Sequence, residues 1–193
     1  MKYKIGVLGS AEYPEQSFVE KAEELGKELI KYKNEIIVCT GACSGLPYMV
    51  ASVAAKGGVE IWGFSPASDF VGQKKEMPNE DLSIFRKFIY LPKNFPFIND
   101  INASRKYRNV ILTASVDAGI IVGGRFGTLN EFTNLYDIGK IIGVYEGSGG
   151  VADEIAYLVK KINKKTCAQI VFDRSAKKLL EKIFCLLKEQ KKL

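Results

Sequence analysis

The apolar segments of this chain are short, continuous and mostly free of polar alternation, and segments with helical periodicity separate them. Strands of this kind are buried on both faces, and their alternation with helices is typical of a parallel sheet covered on either side. The 193 residues are enough for one domain with a sizeable core. We therefore predict a single α/β domain over residues 1–193, with a doubly wound, mostly parallel sheet in three αβα layers. The predicted strands are Tyr3–Leu8, Ile36–Cys39, Glu60–Ser65, Phe88–Leu91, Ala118–Val122, Lys140–Tyr145 and Ala168–Phe172.

Apolar positions spaced three and four residues apart predict the helices between these strands. Pro14 and Glu15 begin the first helix, which reaches about Lys33. Further helices are predicted over Leu46–Lys56, from Ile98 to about Ser115, from Thr128 onward, from Val151 to about Lys161, and after Ser175. The helix from Val151 is expected to turn Ile155, Leu158, Val159 and Ile162 inward. Residues Pro66–Ser83 show no periodicity and predict a loop, with a lid over a site as an open alternative.

Three turns rich in small residues follow predicted strands, namely Gly9–Ala11, Thr40–Gly45 and Gly123–Thr128. Ligands of doubly wound sheets bind at the carboxyl ends of the strands, near the point where the strand order reverses. None of these turns matches the GxGxxG dinucleotide pattern or the GxxxxGK[ST] phosphate loop. A ligand the size of a mononucleotide fits this arrangement better.

The most informative turn lies in the stretch AGIIVGGRFGTLNEF, from Ala118 to Phe132. A buried strand leads through glycines into a helix that Thr128 is placed to cap. The first amides of a helix lack intrahelical partners and lie at the positive end of its dipole, so they attract a phosphate. Glu131 follows one turn later, where a carboxylate would face polar groups beside the phosphate, such as sugar hydroxyls. The alternative is an ordinary strand-to-helix connection.

Two arginines share a helix face with apolar residues upstream of this turn. Ile101, Arg105, Arg108 and Leu112 recur at spacings of four, three and four residues. Arginines on such a face are unusual for packing alone, and they are positioned to reach the crevice that holds Glu131. The alternative is that they form surface ion pairs.

Composition excludes several kinds of chemistry. The chain has no histidine and four cysteines without a CxxC pair, so it offers neither Ser-His nor Cys-His catalysis nor an evident zinc site. We expect buried free thiols, and no metal or other cofactor. No apolar run approaches the ~20 residues of a membrane span, and the start is not a signal peptide, which predicts a cytoplasmic protein.

The formal net charge is +6, and lysines near the C-terminus contribute much of it, among them Lys160, Lys161, Lys177 and Lys188. Their spacing places them on the solvent faces of the last two helices. A nucleic-acid surface would carry aromatic side chains or clustered arginines on the same face, and none is evident. We therefore expect no nucleic-acid partner.

The same residues resemble a known family. GGRFGTLNEF, preceded by Arg108, Asn109 and Asp117, resembles the PGGxGTxxE signature of the Lonely Guy family. TGACSGLPYMVASVAAKGG followed by IWGFSP resembles that family's second loop, helix and strand, and KIGVLGS its first strand. The resemblance spans Lys4 to about Val144 and implies a modified Rossmann-like fold and a homodimer. Some relatives carry the label lysine decarboxylase, which we reject because a short chain without histidine lacks the usual pyridoxal phosphate machinery.

The resemblance also implies roles for individual residues. Glu131 and Arg108 match the glutamate and arginine that are implicated in catalysis in this family. Arg105, one turn earlier in the same helix, is the alternative candidate for that arginine. Two positions depart from the signature, because Gly123 stands where the motif has proline and Arg125 replaces its second glycine. Arg125 is expected either to add charge to the anion site or to fill it. The residues expected to bind substrate or phosphate are Ser10, Gly41, Gly45, Asn109, Gly124, Arg125, Gly127 and Thr128.

Lonely Guy proteins are best known as phosphoribohydrolases, which cleave a nucleoside 5′-monophosphate into free base and ribose 5-phosphate. The resemblance therefore implies hydrolysis of an N-glycosidic bond in an AMP-like nucleotide. The alternative is a carrier or sensor that binds a nucleotide or a molybdenum-cofactor-like pterin without turnover.

Overall fold

A computed structural model describes residues 2–12 and 16–191 of the chain. The strands are β1 (Tyr3–Gly9), β2 (Ile36–Thr40), β3 (Glu60–Phe64), β4 (Lys87–Ile89), β5 (Ala118–Val122), β6 (Ile141–Tyr145) and β7 (Gln169–Asp173). The helices are α1 (Gln16–Ile30), α2 (Leu46–Lys56), α3 (Phe70–Glu76), α4 (Ile101–Ser115), α5 (Phe126–Ile138), α6 (Val151–Ile162) and α7 (Ala176–Gln190). A single 3-10 turn covers Leu82–Ile84.

All strands pair in parallel in one sheet of order β4-β3-β2-β1-β5-β6-β7. The predicted fold class is thereby confirmed. The order reverses between β1 and β5, which are neighbours in the sheet although three strands and their helices lie between them in the chain. The two strands pack closely at their carboxyl ends, where a Cβ at Gly9 would lie 2.3 Å from the carbonyl oxygen of Val122. The ligand crevice of this fold class opens at that point.

Alternate residues of the central strands pack on opposite layers of helices. On one face, Val7 and Ile120 join a core formed with α1, α2 and α7. On the other, Leu8 and Ile121 pack against α4, α5 and α6. Burial on both faces explains why these strands read as continuous apolar runs.

The predicted loop over Pro66–Ser83 is wrong in its middle, where α3 forms. Asp69 caps this helix by accepting a hydrogen bond from the Gly72 amide at 2.8 Å. The buried Gln73 side chain then fixes α3 to the turn after β2 by donating to the Ala42 carbonyl at 3.0 Å. A helix of seven residues is too short to show the apolar periodicity on which the prediction relied.

Several helix boundaries also differ from the predictions. The helix α4 begins at Ile101 rather than Ile98, because the Asp100 side chain caps it by accepting from the amides of the second and third residues that follow. The helix α1 ends at Ile30, before a turn, rather than at about Lys33. Its predicted start at Pro14 and Glu15 lies outside the described residues.

Two predictions of burial are wrong as well. Ile162 is the last residue of α6 and is 68% exposed. Of the four thiols, all free, Cys39 is buried, and burial raises its pKa to about 12. Cys167 and Cys185 are exposed on the surface instead.

Candidate functional site

A cavity of about 570 Å³ opens at the carboxyl ends of β1, β2 and β5. It therefore occupies the crevice that the reversal of strand order creates. Its lining residues come from the segments that follow β1, β2, β3 and β5 and from α3, α4 and α5: Gly9, Ser10, Ala11, Glu12, Gly41, Ala42, Cys43, Ser44, Pro66, Glu76, Asn102, Arg105, Lys106, Arg108, Asn109, Arg125, Gly127, Thr128 and Glu131.

The turn between β5 and α5 is fixed by the loop that precedes α6. Gly123 and Gly124 both adopt positive φ, of 57° and 102°. Their carbonyl oxygens accept hydrogen bonds from the first amides of α6, those of Ala152 at 3.1 Å and Val151 at 2.9 Å. The buried Ser148 hydroxyl accepts from the Gly123 amide at 2.8 Å. The two carbonyls are thus engaged by α6 and not directed at an incoming anion.

The helix α5 begins earlier than the sequence indicated. Its first residue is Phe126, and the Arg125 side chain at the N-cap makes no capping hydrogen bond. The predicted cap Thr128 is instead a buried residue of the first turn, packed against Gly124. Leu129 is the first amide with a helical acceptor, the Arg125 carbonyl, so the amides before it are free for a ligand.

Most of the predicted binding residues line the cavity, but Gly45 and Gly124 do not. Both have a φ in the left-handed region, where a side chain is strained. A Cβ at Gly45 would lie 2.3 Å from the Ser10 carbonyl, and the next amide, that of Leu46, donates to the same carbonyl at 2.9 Å. These glycines therefore shape the loops and leave the lining to their neighbours.

Arg108 is buried at the floor of the cavity, with 7% of its surface exposed. Its Nη1 donates to the carbonyl of Phe64 at 3.4 Å, a long hydrogen bond, and its Nε has no partner within the part of the chain that the structure describes. A buried guanidinium donor without an acceptor is costly unless a ligand supplies one.

The other two arginines of the cavity are paired with carboxylates. Arg105 contacts Glu76 of α3 at 2.9 Å, and Arg125 contacts Glu12 at 2.6 Å. The alternative arginine of the sequence thus also lines the cavity, yet it is half-exposed and ion-paired, whereas Arg108 is buried. Sequence reasoning missed both glutamates. The cap-forming Asp69 three residues before Gly72 was the available signal for the helix that carries Glu76.

Glu131 lies on the α5 side of the same cavity and is 7% exposed. No hydrogen bond or ion pair from any described residue reaches its carboxyl group. Burial raises its pKa from 4.5 to about 7, and the nearby charges of Arg108 and Lys106 oppose that rise only in part. Near neutral pH this carboxyl therefore exchanges between its protonated and ionised forms.

Asn109 joins α4 to α5 beside the cavity and is 4% exposed. Its Nδ2 donates to Oδ1 of Asn130 at 3.1 Å and to the Gly127 carbonyl at 3.5 Å. The structure thus brings together at one cavity three buried side chains, Arg108, Asn109 and Glu131, each with a polar atom that has no partner among the described residues.

Comparison with known proteins identifies the family. A family model described as the SLOG cluster4 family matches residues 2–180. The chain belongs to the SLOG cluster4 family. No curated protein matches the sequence of this SLOG cluster4 protein. Membership of the Lonely Guy family itself stays a prediction.

Solved structures that resemble this SLOG cluster4 protein agree on its fold. TM1055, a structural-genomics target, has a TM-score of 0.74 at 20% identity and covers 96% of this chain and 99% of its own. The molybdenum cofactor binding protein from Rippkaea orientalis has a TM-score of 0.69 at 19% identity, covering 97% and 98%. The molybdenum cofactor carrier protein from Chlamydomonas reinhardtii has a TM-score of 0.61 at 17% identity, covering 96% and 99%.

A DNA processing protein A from Helicobacter pylori, described as binding single-stranded DNA, also matches, with a TM-score of 0.60 at 18% identity over 97% of this chain and 81% of its own. At such identities these likenesses establish the fold alone. Within the residues described here, no helix is long and apolar enough to cross a membrane. The same part of the chain holds no group of three or more metal-ligating side chains.

Proposed function

We propose that this SLOG cluster4 protein binds a nucleoside 5′-monophosphate in the cavity and hydrolyses its N-glycosidic bond. The observation that carries the proposal is the Glu131 carboxyl, which is buried, has no hydrogen-bond or ion-pair partner among the described residues, and belongs to a side chain that lines the same cavity as Arg108. A buried titratable group without a structural partner is typical of a group that acts on a ligand. The cavity volume of about 570 Å³ lies within the usual range for small-molecule sites.

The phosphate is assigned to the first turn of α5. The amides of Phe126, Gly127 and Thr128 precede the first intrahelical hydrogen bond, and a Cβ built on Gly127 would meet no described atom within 4 Å apart from its chain neighbours and its own helix backbone. An anion can therefore approach this backbone closely, at the positive end of the helix dipole. The sugar then extends toward Glu131, which follows Gly127 by four residues on the same face of the helix.

Hydrolysis breaks the bond between C1′ of the ribose and a base nitrogen, and positive charge develops on the ribose ring. The ionised Glu131 carboxylate stabilises that charge, or takes a proton from the water that attacks C1′. The base leaves with the bonding electron pair and receives a proton, and C1′ gains the hydroxyl group. Arg108 supplies a positive charge and a free Nε donor to the phosphate or to the departing base.

The test is incubation of the purified protein with a panel of nucleoside 5′-monophosphates, with free base measured by chromatography. Release of one base, lost in Glu131→Gln, is the expected result. Glu20→Gln changes an exposed glutamate on α1 in the same way and serves as the control that retains activity. Equal base release by Glu131→Gln and the wild type would remove Glu131 from the mechanism.

A second candidate function is binding without turnover, as in a carrier of a nucleotide or of a phosphorylated pterin such as the molybdenum cofactor. The ion pair between Arg125 and Glu12 favours binding without turnover. Arg125 stands where the family signature has a glycine, and the ion pair occupies the part of the cavity rim where that glycine would leave the backbone accessible. Names of two full-length structural neighbours refer to the same cofactor. Thermal stabilisation by one ligand without base release over hours would select this candidate over hydrolysis.

A further inference from the structure

The Asn109 amide is held in one orientation by its surroundings. Its Nδ2 donates to Asn130 and to the carbonyl of Gly127. A backbone carbonyl only accepts hydrogen bonds, so this contact decides which end of the amide is nitrogen. Oδ1 is therefore committed as an acceptor, and it is buried without a partner within the described ranges.

An acceptor buried in this way selects among ligands. Asn109 lines the cavity, so a ligand with a hydroxyl or amine donor satisfies Oδ1, whereas a ligand without one leaves it unpaired and desolvated. Sites with such groups discriminate strongly against analogues that lack the donor. Arg108, the preceding residue, offers the opposite group, an unpartnered Nε donor.

The position of Asn109 identifies the part of the ligand that it meets. Its amide contacts Gly127 in the first turn of α5, where the phosphate is assigned, and Glu131 lies one turn further along that helix. Asn109 is therefore adjacent to the segment between the phosphate site and the Glu131 carboxyl. In a nucleoside 5′-monophosphate the group that occupies such a segment is the ribose.

On the basis of the proposed function, we infer that Asn109 is a specificity-determining residue that selects nucleotides with an intact ribose over analogues that lack one of the two ribose hydroxyls. Its Oδ1 accepts a hydrogen bond from a ribose hydroxyl. Because an amide does not titrate, this preference persists between pH 5 and pH 8, a range over which Glu131 changes its protonation state. A preference that came from Glu131 would change across the same range.

The experiment compares dissociation constants, or KM values where the ligand is turned over, for AMP, 2′-deoxy-AMP, 3′-deoxy-AMP and purine riboside 5′-monophosphate, which lacks the base amine. For the wild type we expect a preference of about 10-fold for AMP over one of the two deoxynucleotides. In Asn109→Leu, which removes the acceptor at similar volume, the preference falls to within about 2-fold. Asn109→Asp retains the acceptor and the preference, with weaker binding of every phosphate because of its charge.

Asn134→Leu is the matched control. Its side chain lies on α5 outside the cavity lining and also has a buried amide nitrogen with no partner in the described part of the chain. This variant keeps the preference of the wild type. If Asn109→Leu does not fold, Asn109→Ala removes the same acceptor without adding apolar volume, and its preference should fall to the same extent.

Equal affinity of the wild type for AMP and both deoxynucleotides overturns the inference while leaving the proposed function intact. The same follows if Asn109→Leu discriminates as strongly as the wild type. Should Asn109→Leu lose only the preference over purine riboside 5′-monophosphate, the donor is the base amine and the ribose assignment is wrong. Failure of every monophosphate to bind the wild type overturns the proposed function and this inference with it.

Discussion

The guanidinium of Arg108 lies against the Cα of Gly41, so closely that a Cβ on Gly41 would come within 1.9 Å of Nη1. The glycine at the end of β2 therefore makes room for a buried cation at the floor of the cavity. This contact joins the turn after β2 to Arg108 of α4. The two segments are distant in the chain, and no local sequence pattern relates them.

Gly41→Ala is expected to displace the Arg108 guanidinium and to reduce ligand affinity or turnover by about 10-fold, since an interaction between charged groups is lost. Arg108→Ala should cause a loss of similar size, and the double variant should lose no more than either single variant. Binding and base release measured for the three proteins test this coupling. Additive losses would mean that the two residues act independently.

Glu131→Gln is expected to stabilise the protein at alkaline pH. The folded-state pKa of Glu131 is raised from 4.5 to about 7 by burial, so the unfolded chain releases this proton at a lower pH than the folded protein. The contribution of the group to stability is complete below pH 4.5 and is lost as the pH rises through about 7. We expect the variant to exceed the wild type by about 1–3 kcal/mol at pH 8 and to match it at about pH 4.

Urea unfolding at both pH values measures this difference. The exposed Glu20→Gln variant is the control, and it should follow the wild type at each pH. An unchanged free energy of unfolding for Glu131→Gln at pH 8 would contradict the assignment of a buried, desolvated carboxyl.

Gly127→Ala separates ligand binding from folding. Apart from its chain neighbours and its own helix backbone, the added methyl group meets no described atom within 4 Å, and the position is helical, so stability should stay the same or rise by up to about 1 kcal/mol. The methyl group nevertheless occupies the space over the first turn of α5, and we expect phosphate affinity to fall by about 10-fold or more. Titration with a nucleoside monophosphate and a thermal melt give the two quantities.

Gly124→Ala, unlike Gly127→Ala, should reduce the stability of the fold. Its φ of 102° and the 2.4 Å approach of the new methyl group to Oγ1 of Thr128 predict a loss of about 1–3 kcal/mol of stability. A Gly127→Ala variant that binds phosphate as tightly as the wild type would place the anion elsewhere in the cavity.

Glu12→Gln tests the role of Arg125. The exposed ion pair between these residues holds the guanidinium at the cavity rim. Removing the carboxylate charge frees Arg125 for a ligand phosphate, and we expect affinity to increase about 2- to 5-fold, with a steeper salt dependence. The measurement is titration at two ionic strengths, and Arg125→Ala should abolish the gain. No gain in Glu12→Gln would indicate that Arg125 does not contact the ligand.

Local sequence patterns were sufficient to predict the fold class, because buried parallel strands leave continuous apolar runs and amphipathic helices leave a periodic apolar pattern, over 5 to 15 residues. Ala118–Val122 and Leu46–Lys56 have the predicted bounds. The predictions failed where a few residues decide the structure. Asp69 starts a helix of seven residues inside a predicted loop, and Asp100 delays the start of α4 by three residues.

The candidate site divides in the same way. Glycine-rich turns after strands pointed to the correct edge of the sheet, since parallel strands bring their carboxyl ends together whatever the loops contain. The tertiary structure alone decided which residues of those turns reach the cavity. In the folded protein, Gly45 and Gly124 shape the loops and do not line the cavity. Arg105 and Arg125 form ion pairs with Glu76 and Glu12, whereas Arg108 is buried. Pairing and desolvation depend on contacts between segments that are distant in the chain, and no local pattern encodes them.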